Sequence, residues 1–158
     1  MGKDGDVIRA FANAEGISIT DAKRFYDDAM EHYNKVKNSD VVKKYPHDTK
    51  TFGHPMQAGG YANQKLFDDI DRKSGSWYFG EAVKGSNFES AMKSYQRARD
   101  SFGKANAVRQ QNGTGYSWYG SAEQKQAKQK ILDSVLKDLG MPITQANRDA
   151  IESTVFWD

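Results

Sequence analysis

From Thr20 onward, Ala22, Phe25, Tyr26, Ala29, Met30, Tyr33 and Val36 recur at steps of three and four residues. That is the spacing of one face of an α-helix, with polar residues on the other. Phe88, Ala91, Met92, Tyr95, Ala98, Phe102 and Ala105 repeat the pattern to about Val108, and so do Ala127, Ile131, Leu132, Val135, Leu136 and Leu139 in a helix that begins at Ser121. Val7, Ile8, Phe11 and Ala12 form a shorter helix that Gly16 should stop. Tyr61 to Lys73 reads as another, burying Ala62, Leu66, Phe67 and Ile70, and a last one starts near Thr144 and carries Ala150, Ile151 and Val155. No run of β-branched residues alternates strictly with polar ones. The fold class this predicts is all-α: a compact bundle of about five to six helices, with two long loops and room for a short β-ribbon. We expect a single domain over residues 1–158.

Such helices need an unusual core. Leu, Ile, Val and Phe together make only 27 of 158 residues, a proportion at which disorder becomes a competing expectation. Against it stand a net charge of only +2 and 19 aromatic side chains. The core should therefore be built from aromatics and alanine. There is no cysteine, which excludes a disulfide framework and cysteine-ligated metals. The N-terminal residues hold no apolar run of signal-peptide length, and no stretch of about 18 apolar residues occurs, so cytoplasm or a virion is the expected location, with no membrane contact.

Helix limits are marked locally. Ser86-Asn87-Phe88-Glu89 reads as a capping box, and Ser121-Ala122-Glu123-Gln124 as a similar one. Gly16-Ile17-Ser18-Ile19-Thr20 and Gly140-Met141-Pro142-Ile143-Thr144 share a helix–turn–helix corner pattern in which Gly ends one helix and Thr caps the next. A second echo is Gly75-Ser76-Trp77-Tyr78-Phe79-Gly80 against Gly115-Tyr116-Ser117-Trp118-Tyr119-Gly120. Adjacent side chains diverge, so Trp and Tyr in each segment should face opposite ways and leave an aromatic exposed. Trp77, Tyr78, Trp118 and Tyr119 are accordingly the candidate protein interface, the alternative being two short extended pieces that lid the core.

Catalytic chemistry finds little support. His47, Asp48 and His54 share the loop from Tyr45 to Gly60, but His-x6-His on a loop matches no standard zinc spacing. A nucleophile elbow, a P-loop and a dinucleotide fingerprint are all missing. We expect no catalytic residue, no metal and no cofactor. Charge is uneven: residues 84–130 carry nine basic and three acidic side chains, or +6. Lys93, Arg97, Lys104 and Arg109 in that stretch are the candidate nucleic-acid contacts, should the partner be DNA or RNA.

Asp6 to Val36, with its short helix, Gly-Ile-Ser corner and second helix, resembles the N-terminal helical pair of the HU/IHF nucleoid proteins. That family continues into a β-sheet with basic arms, which Tyr45 to Gly60 does not provide, and no DNA-contacting residue carries across. In composition the chain resembles bacteriophage or mobile-element accessory and virion proteins. The function expected is a non-catalytic helical interaction or structural protein, free to oligomerise. The alternative is a nucleic-acid-binding module using residues 84–130.

Overall fold

The computed structural model describes the backbone of residues 2–156 and the side chains of residues 4–156. It is mostly helical. In chain order the elements are α1 (Gly2–Glu15), α2 (Ile19–Val36), α3 (Asp40–Lys44), α4 (Thr49–Phe52), a 3-10 turn (Pro55–Ala58), α5 (Gln64–Lys73), β1 (Gly75–Ser76), β2 (Glu81–Ala82), α6 (Asn87–Gln111), α7 (Ala122–Leu139) and α8 (Gln145–Val155). Among the described residues, no helix is long and apolar enough to cross a membrane. The chain divides into two compact units, Met1–Phe67 with Gln145–Ala150, and Asp68–Thr144 with Ile151–Asp158.

The first unit is built on the α1–α2 hairpin, with the 3-10 turn packed on α2. Its hairpin core is small: Ala12, Ala22, Ala29 and Met56, edged by Val7, Ile8, Phe11, Ile17 and Tyr26. Here one expectation fails. Phe25 is 57% exposed, and Tyr26 and Tyr33 are only half-buried. At 100° per residue, Phe25 lies roughly 60° round the helix from the Ala22 position, at the margin of the buried stripe. There its ring pairs with Phe11, the centroids 5.5 Å apart. Phe25→Ala should therefore cost only about 1 kcal/mol, most of it that ring pair; a chemical denaturation curve shifted by several times this amount would restore Phe25 to the core.

The start of α2 also differs from expectation. The cap is Ser18, whose hydroxyl accepts from Asp21 N at 3.1 Å, and Thr20 lies inside the helix. Both echo corners end their helices alike, with glycine in the left-handed region (φ 66° and 71°) and the next amide reaching back five residues, Ile17 to Ala12 and Met141 to Leu136. They diverge afterwards because the residue matching Ser18 is Pro142, which has no hydroxyl to cap with; α8 starts two positions later in the pattern, directly after Thr144. α8 is stapled within the first unit by Asn147, fully buried, whose side-chain oxygen accepts from Val41 N at 3.1 Å while its amide donates to Asp40 Oδ2 at 3.1 Å.

The expected loop from Tyr45 to Gly60 is largely ordered into α4 and the 3-10 turn, each started by a local side-chain cap. The Asp48 carboxylate accepts from Lys50 N and Thr51 N, and His54 Nδ1 accepts from Met56 N.

In the second unit α6 packs along α7. Phe88, Met92, Tyr95 and Phe102 are buried from one, and Ile131, Leu132, Val135, Leu136 and Leu139 from the other. Three of the four leucines in the chain thus sit on α7. Ala105, expected in the α6 stripe, is exposed, and Asn106 is buried in its stead. The Ser86 hydroxyl accepts from Glu89 N at 3.1 Å, as the capping box requires, but the Ser86 amide goes to Val83 O. The next two amides, Asn87 N and Phe88 N, are received by Asp138 from the last turn of α7, at 3.0 and 3.2 Å. Around Ser121 the box is shifted by one residue: Gln124 Oε1 accepts from Gly120 N, and Ser121 N donates to Trp118 O.

Candidate functional site

The two Trp-Tyr segments, 41 residues apart in sequence, meet on one side chain of the second unit. β1 pairs with β2 in antiparallel register, Gly75 with Ala82 and Ser76 with Glu81, so residues 77–80 form the tip of a hairpin. The short β-ribbon pairs the start of this first segment with the two residues that follow it; the second segment contributes no strand. At the tip, Gly80 N donates to Trp77 O at 3.1 Å. Trp77 turns in against Tyr95 of α6, edge to face at 4.7 Å, and against Phe156 at 5.0 Å.

Trp118 approaches the same Tyr95 from the second loop, at 5.6 Å, and packs on Phe102 at 5.3 Å. The loop that carries it is held along α6 almost residue by residue. Thr114 N donates to Arg109 O, Tyr116 N donates to the buried Asn106 Oδ1, and Gly115 lies so close to Gln110 that a Cβ there would sit 2.2 Å from Gln110 Cγ. The Tyr116 ring stacks edge-on against Phe102 and takes the Arg109 guanidinium over its face at 5.0 Å. Its hydroxyl accepts from Arg109 and donates to Glu123.

With both tryptophans turned inward, their neighbours point out. Trp118 is 8% exposed but Tyr119 74%, and Tyr78 and Phe79 are each 72% exposed. A turn after each tryptophan, closed by Gly80 N on Trp77 O and by Ser121 N on Trp118 O, carries the following tyrosine away from the ring before it. Phe79 joins the exposed set although the sequence reading did not single it out; it forms an edge-on pair with Tyr78 at 5.0 Å. Tyr95, the shared support, was legible only as one member of the α6 stripe.

Two clefts flank the Trp118–Tyr119 ridge. One, of about 340 Å³, runs over Trp77, Tyr95 and Phe156; the other, of about 580 Å³, runs over Phe102, Gly103 and Asn106. Arg99, Trp118 and Tyr119 border both, and no aspartate or glutamate lines either.

The candidate nucleic-acid residues are divided. Lys93, Arg97 and Lys104 share a face of α6, but that face lies roughly 120–160° round the helix from Arg99 and the clefts. Lys93 is paired with Glu89 at 3.8 Å, and Arg109 is taken up by Tyr116.

In the first unit, His47, Asp48 and His54 hold backbone. His47 Nδ1 accepts from Ala62 N at 3.2 Å while its Nε2 bonds Gly53 O at 2.9 Å, so the ring bridges two segments in its neutral form. His54 caps the 3-10 turn and stacks on Tyr26. The Thr51 hydroxyl, followed by the Thr51 amide, holds the Asp48 carboxyl below the usual carboxylate range, so this cap loosens only as pH falls through that depressed value. Among the described residues, no three His, Asp or Glu side chains converge as metal ligands. The chain matches no protein-family model, no curated protein and no solved structure, which leaves the geometry of the second unit to carry the functional reading.

Proposed function

We propose that this is a non-catalytic interaction protein that docks a protein partner on the aromatic surface of its second unit. One observation carries the reading: two independently built segments each pack a tryptophan on Tyr95, Trp118 buried and Trp77 half-buried, and each leave a tyrosine in water. The inward-packed rings and the pinned loop hold the backbone that carries the exposed ones, so little loop entropy remains to be lost on binding. Tyrosine is among the residues that most often anchor interfaces, and phenylalanine is enriched at their cores. A virion or host-modulating setting rests on composition alone and assigns no residue of this site.

The test is recovery of the partner that co-purifies with the full chain from its native source. Tyr78→Ala and Tyr119→Ala should each weaken that complex by about 2 kcal/mol or more while leaving the melting temperature unchanged. A double variant that keeps full affinity would overturn the reading.

A second reading, nucleic-acid binding, is favoured by the +6 charge of residues 84–130 and by the shared face of Lys93, Arg97 and Lys104. Its signature is an affinity that falls steeply with salt and a slope that the triple replacement of those residues by glutamate reduces.

A further inference from the structure

We infer that the two clefts beside Trp118 and Tyr119 take an acidic peptide segment of the partner, with a carboxylate on Arg99 and its apolar neighbours in the clefts. This deepens the docking reading and rests on it.

Arg99 is the one charged residue that borders both clefts. It is exposed, and it makes no side-chain hydrogen bond or ion pair with any described residue. Of the three acidic residues in residues 84–130, Glu89 faces Lys93, Glu123 accepts from Tyr116, and Asp100, next to Arg99 in the chain, is not among the residues lining either cleft. A guanidinium presents five donors in a planar fork that matches a carboxylate, and that match strengthens where aromatic walls exclude water. Lys128, held over the Phe156 ring at 4.9 Å on the border of the smaller cleft, is already engaged and leaves Arg99 as the carboxylate's partner. The remaining walls are aromatic rings and uncharged amides such as Gln96 and Gln124. Across the ridge Gly103 removes side-chain volume from the larger cleft; nothing lies within 4 Å of where its Cβ would be.

The number and placement of charges choose the occupant. A nucleic-acid strand presents a phosphate at every nucleotide and is held by a track of cations. The clefts offer one arginine and one lysine, and the other basic residues of α6 point elsewhere. One carboxylate set among apolar side chains matches this surface in sign and polarity.

The experiment pans a random peptide display library against the immobilised full chain, then measures fluorescence anisotropy of an enriched peptide, its Asp/Glu-to-amide counterpart and a thymidine oligonucleotide. Enriched peptides should carry Asp or Glu beside Phe, Leu or Trp. Arg99→Gln and Gly103→Glu should each weaken the enriched peptide by about tenfold or more, as should amidation of its acids, and Arg97→Gln on the far face should change it less than about twofold. All three substitution sites are exposed helix positions, and circular dichroism checks that folding is retained. Absence of enrichment, enrichment without acids, or binding indifferent to Arg99→Gln would overturn the inference, as would tighter binding of the oligonucleotide that Arg99→Gln abolishes. Peptide binding lost in Tyr119→Ala but kept in Arg99→Gln leaves the docking reading standing and removes only the acidic segment; binding kept in both removes the two together.

Discussion

Replacing Trp118 with alanine should lower stability by about 3–5 kcal/mol, the range for deleting a large buried aromatic side chain. Trp118 is the wedge between Tyr95 and Phe102, and its carbonyl receives both the Ser121 hydroxyl and the Ser121 amide that start α7. Removing the ring leaves a cavity between α6 and the loop that crosses it, and that loop has few other apolar side chains with which to fill it. For a domain of ordinary marginal stability, the loss approaches the whole margin. The neighbouring Tyr119→Ala should move the urea midpoint by less than about 0.5 kcal/mol, as exposed substitutions do. Equal effects from the two would show that the ridge is not divided into a packed and an exposed ring.

Asp138→Ala should cost about 2–4 kcal/mol, the second-largest effect expected. Its carboxylate receives Asn87 N, Asn87 Nδ2, Phe88 N and the Ser74 hydroxyl at 2.8–3.2 Å, tying the last turn of α7 to the first turn of α6 and to the end of α5. Alanine leaves those donors without an acceptor at the positive end of the α6 dipole. The side chain is half-buried, so water replaces part of the loss and holds the figure below that for a sealed site. Asp138→Asn keeps one acceptor oxygen but turns an NH2 toward donors, and should recover only part. Urea denaturation measures both, and hydrogen exchange at Asn87 and Phe88 reports the cap directly; exchange unchanged in Asp138→Ala would refute this role.

The amino-acid order determined the helices. Periodicity placed α2, α6 and α7 within about three residues at each end, because a buried face must recur every 3.6 residues wherever the helix finally packs. Glycine at 16 and 140 and serine at 86 and 121 marked helix ends, because they act on backbone groups a few residues away. The inward Trp and outward Tyr of each segment were legible for the same reason. Everything that depended on a distant partner was not. Phe25 belongs to the apolar stripe of α2 yet is 57% exposed, because burial needs a second surface and its pairing with Phe11 does not cover it. The cap completed by Asp138 spans about fifty residues of chain, and nothing near Ser86 announces it. Lys93, Arg97 and Lys104 stood out as a basic group along the helix, while Arg99, a member of the same run, lines the clefts because the loop carrying Trp118 folds back over its face of α6. Sequence spacing determines which side chains share a face; only packing decides what that face meets, because close approach of remote segments is set by the shapes and bonds of both.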